Sequence, residues 1–242
     1  MQKYLYKDLY ELEDTHWWHK SKRANIVNLL QKFLTIKNPK ILDIGCGTGK
    51  NIEVFSKIGP TFGVDKSPEA IAYCRKRGLK TVTLGSVEST GLKSNFFDVI
   101  TLLDVLEHTD DNETLKEIYR ILRPGGLLII TVPAFKFLWS KWDKVLQHKR
   151  RYSKKSLEKL LQSYQFAVEK MSYMFSFLFI PVYLVRLIKS RPSKGRYSSD
   201  FQINTPLLNY ALLTLARLEL FFINYTTMPF GTSIICIARK ES

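Results

Sequence analysis

The run Lys40-Ile41-Leu42-Asp43-Ile44 leads into Gly45-Cys46-Gly47-Thr48-Gly49. Glycines at this spacing leave the main chain bare, because a residue without a Cβ tolerates unusual dihedrals and lets a ligand approach the backbone. A dinucleotide fingerprint would run G-x-G-x-x-G, but its third glycine position holds Lys50, so the turn departs from the nicotinamide pattern. Asp65 lies twenty residues beyond Gly45 and ends the run Thr61-Phe62-Gly63-Val64-Asp65. A carboxylate at that point can accept hydrogen bonds from both hydroxyls of a ribose. The two features together imply a ligand that carries adenosine.

Other residues could act on a second substrate. His108 and His148 are imidazoles that titrate near neutral pH, so either could be a general base, or could simply hydrogen-bond a loop. Trp17 and Trp18, inside His16-Trp17-Trp18-His19, could form an aromatic lid or pack as ordinary core. The pair Arg150-Arg151 could bind phosphate bidentately or flank a helix in solvent. Cys46, Cys74 and Cys236 form no CxxC pair, which supports neither a zinc cluster nor a disulfide framework.

The elements that must position these groups follow from periodicity and punctuation. Helices are expected over residues 4–14 and 20–33, then strand 40–44, helix 50–57 and strand 61–65. Ser67 is a candidate N-cap, with Pro68 at the first helical position and Gly78 closing that helix. Strands 81–84 and 98–103 follow, and a helix over 112–122 is stopped by Arg123-Pro124-Gly125-Gly126. Residues 127–132 are continuously apolar, as a strand buried on both faces should be. A helix over 153–163 and strands 166–173 and 232–239 complete the alternation, which implies a doubly wound, mostly parallel sheet. Between the last two strands lie two apolar helical segments, 175–189 and 206–223, joined by a basic, polar stretch over 190–200. A structureless loop of that length is improbable in a compact domain, so an inserted helical hairpin is expected.

The chain has 242 residues, 45% of them hydrophobic, and a formal net charge of +15. That composition excludes disorder, collagen and coiled coil, and suits one domain with an appendage. A basic cluster over 136–155 suits nucleic acid, anionic headgroups or a phosphorylated substrate, or is merely a solvated face. The N-terminus lacks the apolar core of a secretory signal, so a reducing cytoplasmic location is expected.

Four motifs in order, Leu42-Asp43-Ile44-Gly45-Cys46-Gly47-Thr48-Gly49, Gly63-Val64-Asp65, Phe97-Asp98-Val99-Ile100 and Leu122-Arg123-Pro124-Gly125-Gly126, make residues 40–132 resemble the Rossmann-like (class I) S-adenosylmethionine-dependent methyltransferases. The resemblance implies a seven-stranded α/β sheet and S-adenosyl-L-methionine as cofactor. It places the methionine portion of that cofactor on Asp43, Gly45, Cys46, Gly47 and Gly49, and the ribose on Asp65 beside Lys66. Asp104 begins the cofactor-facing and substrate-facing stretch. Many relatives have an acidic residue after the third strand to bind adenine; here Ser86 stands at that position, with the Val87 amide and Glu88 as alternatives. A subset of the family has His-Trp-Trp and an Arg, here Arg23, before the first motif, and a pattern after strand five matched by Trp139, Asp143, His148, Arg151 and Tyr152. The expected substrate side is therefore Trp17, Trp18, Trp139, Asp143, Arg151 and Tyr152, with His148 or His108 as base and no metal required.

The domain organisation expected is an N-terminal helical lid over 1–36, a cofactor-binding core over 37–174 and 231–242, and the inserted hairpin over 175–230. A helix as apolar as 175–189 is not left exposed on a globular surface, so it meets lipid, a partner subunit or the substrate. The expected function is methyl transfer to a lipid or lipid-linked acceptor by an enzyme peripheral at the inner face of the membrane. The alternatives are a soluble small-molecule acceptor with the hairpin as cap or homodimer interface, an RNA acceptor, and a catalytically dead scaffold. Nucleic acid is the weaker partner, because no RNA-binding module is recognisable.

Overall fold

The computed structural model describes residues 4–188 and 205–241. The basic stretch over 190–200 expected to join the two hairpin helices lies outside the described residues. Two helices, α1 (Tyr4–Leu12) and α2 (Trp17–Phe33), precede an alternation of β1 (Ile41–Ile44), α3 (Lys50–Phe55), β2 (Thr61–Asp65), α4 (Pro68–Lys76) and β3 (Val82–Leu84). Then come β4 (Phe97–Leu103), α5 (Asp111–Ile121), β5 (Leu122–Pro133), α6 (Lys141–Leu146), α7 (Lys154–Gln162) and β6 (Phe166–Met174). The hairpin helices α8 (Phe179–Ile188) and α9 (Pro206–Tyr225) follow, and β7 (Ser233–Lys240) closes the order.

The sheet is seven-stranded in the order β3-β2-β1-β4-β5-β7-β6. β1 to β5 pair in parallel, and β7 runs antiparallel to both β5 and β6. This is the Rossmann-like methyltransferase arrangement expected from the sequence. Alternate residues of the buried strands face opposite sides. Leu42, Ile100, Leu128 and Ile130 pack towards α5 and α7, while Ile41, Val99, Leu127 and Ile129 pack towards Leu29 and Leu30 of α2 and Ala216 and Ile223 of α9. Both faces of the sheet are thus covered, which is why these strands read as unbroken apolar runs.

Two local readings change. Arg123-Pro124-Gly125-Gly126 does not separate helix from strand; it bulges within β5, between the pairings Phe97↔Leu122 and Val99↔Leu127. Gly125 takes φ 73° there. The short helix α6 was not anticipated, although its signal is present: Ser140 and Asp143 form a reciprocal capping box.

Candidate active site

The main-chain turn after β1 is built around positive φ values, 69° at Gly45, 55° at Gly47 and 87° at Gly49. A Cβ on Gly45 would stand 2.3 Å from Val105 Cγ2, so this position admits no side chain without displacing the segment after β4. Gly49 serves differently from the expected ligand contact: it caps α3 and is turned towards Cys74 and Leu79. At the end of β2, Asp65 accepts hydrogen bonds from Gly47 N (2.9 Å) and Ser67 N (2.9 Å). Burial pushes its carboxyl up, against those two backbone bonds.

These groups open onto a cavity of about 1300 Å³. Of the residues expected to touch ligand, Gly45, Cys46, Gly47, Asp65, Lys66, Val87 and Asp104 line it, as do Trp17, Trp18, His108, His148 and Arg151. Asp43, Gly49, Ser86, Trp139, Asp143 and Tyr152 are not among its lining residues. Asp43 is fully buried, accepts from Thr101 Oγ1 at 2.6 Å, and leaves its other oxygen without a hydrogen-bond partner. Burial pushes it up to about 7. The Ser86 hydroxyl is spent on Glu88. The Tyr152 hydroxyl donates to Asp111 (2.7 Å), which fixes a loop rather than a substrate.

Neither arginine of the expected phosphate-binding pair is disengaged. Arg150 pairs with Asp111 (2.5 Å) and donates to Thr109 O (2.8 Å). Arg151 grips Asp143 bidentately, Nε to Oδ1 at 2.7 Å and Nη2 to Oδ2 at 3.0 Å, and also donates to Ala134 O. Burial alone would raise the Asp143 carboxyl, but hydrogen bonds from His148 and Arg151 hold it well below the usual carboxylate range.

That ionised carboxylate decides a tautomer. It can only accept, so the His148 Nδ1 that lies 3.0 Å from it carries a hydrogen, and Nε2 is the ring nitrogen left to face Glu107. His108 is fixed in the same way, with Nδ1 3.2 Å from the Gln147 carbonyl. The two rings meet edge to face at 4.8 Å. Beneath them Glu107 is fully buried with neither carboxyl oxygen hydrogen-bonded, and burial raises its pKa well above normal.

The N-terminal helices are held by Glu13, Lys22 and Arg77, which sequence reasoning did not single out, together with Arg23 and Asp104, which it did. Glu13, just after α1, accepts from Thr48 Oγ1 (2.5 Å) in the glycine turn and pairs with Arg77 (2.5 Å) after α4. Arg23 donates to the Glu13 carbonyl. Lys22 pairs with Asp104 and lies 4.7 Å from the Trp18 ring centre. Asp104 itself takes φ 55°, a strained value for a residue with a side chain, at the cavity wall. These partners are far apart in sequence, and no local spacing announces them.

The other end of the cavity is mostly apolar, lined by Leu178 and by Pro181, Val182 and Val185 of α8 with Arg186 beside them, and by Leu208 and Leu212 of α9. Glu219 of α9 accepts from Phe175 N (2.6 Å) and Ser176 N (2.5 Å), just after β6, and Asn209 of α9 accepts from Trp17 N (2.7 Å) of α2.

The geometry fits an adenosyl cofactor. Gly45 and Gly47 line the cavity as bare main chain, Asp65 lines it at the end of β2, and Tyr6 and Leu9 of α1 line it beside them. Residues 42–130 match a family described as a methyltransferase domain. The chain is 31% identical over 121 residues to mouse (Mus musculus) "Probable tRNA methyltransferase 9B", covering 48% of this chain and 27% of that protein. It is 30% identical over 108 residues to the ubiquinone biosynthesis O-methyltransferase of Pseudomonas entomophila, covering 41% and 47%. It thus spans between about a quarter and a half of the length of these curated relatives. A solved S-adenosylmethionine-dependent methyltransferase from Archaeoglobus fulgidus shares the fold at TM-score 0.57 and 20% identity, over 90% of this chain and 92% of that one. The strand order, the glycine turn and Asp65 agree with these likenesses: residues 42–130 match a methyltransferase-domain family, and the chain has the fold of solved S-adenosylmethionine-dependent methyltransferases.

Proposed function

We propose that this protein transfers a methyl group from S-adenosylmethionine to a lipid or lipid-linked acceptor drawn from an anionic membrane surface. The observation that carries the reading is the continuity of one cavity, from the glycine turn past His108 and His148 to the apolar walls of α8 and α9. Its volume of about 1300 Å³ exceeds the roughly 300–1,000 Å³ of a single-ligand pocket, which leaves room for an acceptor beside the cofactor.

The outer sides of the same two helices support a membrane location. Ile180, Leu184 and Leu187 on α8 and Leu215, Leu218, Phe221 and Phe222 on α9 are exposed, and exposed Phe137 packs on Tyr183. Exposed Lys136, Lys141 and Lys144 belong to the adjoining segment. An apolar patch edged by cations suits an anionic interface. By length and composition α9 could cross a membrane, with 17% of its apolar window buried. Its Glu219 nevertheless binds the backbone at Phe175 and Ser176, and we read α9 as lying along the surface. With Arg150 and Arg151 both spent on protein partners, the basic run is a weaker match to RNA than its sequence suggests.

Bound S-adenosylmethionine supplies an electrophilic methyl carbon on a sulfonium. Gly45, Gly47 and Asp65 hold and orient it, and α1 with Trp17 and Trp18 excludes water. The acceptor's reacting atom lies at the cavity wall formed by His148 and His108. Where that atom must lose a proton, His148 Nε2, aimed by Asp143, takes it.

Sedimentation with phosphatidylglycerol vesicles tests the location. Wild-type protein is expected to pellet at low salt, and a double substitution Leu184→Asp, Leu218→Asp to stay in solution. Wild type remaining in the supernatant overturns the membrane reading. If it is instead a dimer that the double substitution splits, the patch is a subunit interface.

A further inference from the structure

Glu107, His108 and His148 each present one ligand-type atom to a common point, all three atoms lying within 4.8 Å of one another, and all three residues line the cavity. His148 Nε2 stands 3.8 Å from Glu107 Oε1. Donors around one divalent ion at about 2.1 Å are separated by roughly 3–4 Å, so closure requires shifts of less than about an ångström.

Three independent features point to an ion. First, the Glu107 carboxyl is fully buried and both of its oxygens lack any hydrogen-bond partner, a costly state for a polar group with no ligand. Second, each imidazole has its Nδ1–H fixed by an oxygen, Asp143 for His148 and the Gln147 carbonyl for His108, which leaves Nε2 as the ring nitrogen open to a ligand. Third, that outer set of oxygens is itself anchored, since Arg151 grips Asp143 at both oxygens. Metal-binding histidines have this arrangement, because the oxygen behind the ring sets the tautomer and strengthens the donor.

We propose that Glu107, His108 and His148 bind a divalent transition-metal cation, with open coordination positions facing the cavity that take an oxygen of the acceptor. Two nitrogens and one carboxylate favour zinc, iron or manganese over magnesium. The inference rests on the acceptor lying at this wall, as proposed above, and revises how the imidazoles act on it. With the ion bound, both lone pairs are committed to it, and it is the ion that polarises the acceptor oxygen.

The test is calorimetric titration of chelator-stripped full-length protein with Zn²⁺ and Mn²⁺, with Mg²⁺ for comparison. One Zn²⁺ per chain is expected, bound at least 100-fold more tightly than Mg²⁺ and weakened at least 30-fold by Glu107→Gln. S-adenosylhomocysteine affinity, measured on the same samples, stays within about two-fold. Should the variant not fold, wild-type protein still decides: Zn²⁺ is expected to protect His108 and His148 from diethyl pyrocarbonate, read by peptide mass. Absence of stoichiometric binding, equal affinity in Glu107→Gln, or unprotected histidines overturns the ion site. Failure of wild-type protein to bind S-adenosylhomocysteine would instead sink the methyltransferase reading, whatever the ion does.

Discussion

The two ends of the cavity are built on different principles. At the glycine end the wall is main chain, with Gly45 and Gly47 in left-handed conformation against one acidic side chain, Asp65, that accepts from Gly47 N. At the far end the wall is side chains alone, Val182 and Val185 from α8 and Leu208 and Leu212 from α9, meeting across a gap in the sequence. The first end recognises a ligand by fixed donors and a steric slot, which tolerates little variation. The second offers mostly apolar area, with Arg186 of α8 among it, which grades ligands chiefly by size and hydrophobicity. One end suits an invariant cofactor and the other an acceptor with a tail.

The largest expected effect lies at the rigid end. Asp65→Ala removes the carboxylate that two backbone N–H groups point at, leaving both donors and any ribose hydroxyls without their acceptor. Hydrogen bonds to a charged group contribute about 1.5–3 kcal/mol each, so S-adenosylhomocysteine affinity should fall by roughly 100-fold in calorimetry. A loss under three-fold would mean that the main chain alone defines this end.

An intermediate effect is expected just behind it, from Asp43. The folded protein holds this proton up to about pH 7, whereas the unfolded chain releases it near the ordinary aspartate value of 3.8. The stability this proton represents is fully present below about pH 4 and is lost as pH rises through about 7. Relative to Asp43→Asn, wild-type unfolding free energy should therefore fall by up to about 1.4 kcal/mol per pH unit across that window, then level off. Denaturant titrations of both proteins between pH 4 and pH 9 follow it; a constant difference would mean that Asp43 is ionised throughout.

The smallest effect is expected at the apolar end. Val182→Ala deletes two methyl carbons from a wall shared by several side chains, which costs an apolar acceptor about 1–2 kcal/mol of contact. The acceptor KM should rise about 5- to 30-fold, with S-adenosylhomocysteine affinity unchanged. If cofactor affinity falls with it, the two ends are coupled and the contrast between them is wrong.

The same contrast explains what could be read without coordinates. Gly45, Gly47 and Asp65 were legible because a bare turn needs glycine at fixed spacing and the strand that follows places one carboxylate opposite it. Strands β1, β4 and β5 were legible because burial on both faces demands apolar runs. Glu13 was not, since its partners Thr48 and Arg77 come from other elements and only the fold brings them within 2.5 Å. Arg150 and Arg151 misled because charge in a sequence does not disclose its partner. Trp139 and Tyr152 followed a motif whose members share a region of the chain but do not all reach the cavity.

The last strand has one further consequence. β7 lies between β5 and β6 in the sheet, yet it follows the whole hairpin in the chain. During synthesis the flanks of β5 and β6 therefore stay unpaired until α8 and α9 have been made, and unpaired strand flanks invite aggregation. When β7 does enter, Lys240 near its end donates to Asn95 Oδ1, Tyr119 O and Leu122 O, closing the slot with three bonds. The hairpin is thus a toll on assembly, and a nascent chain whose apolar helices have already found their shelter would complete its sheet with less exposure to its neighbours.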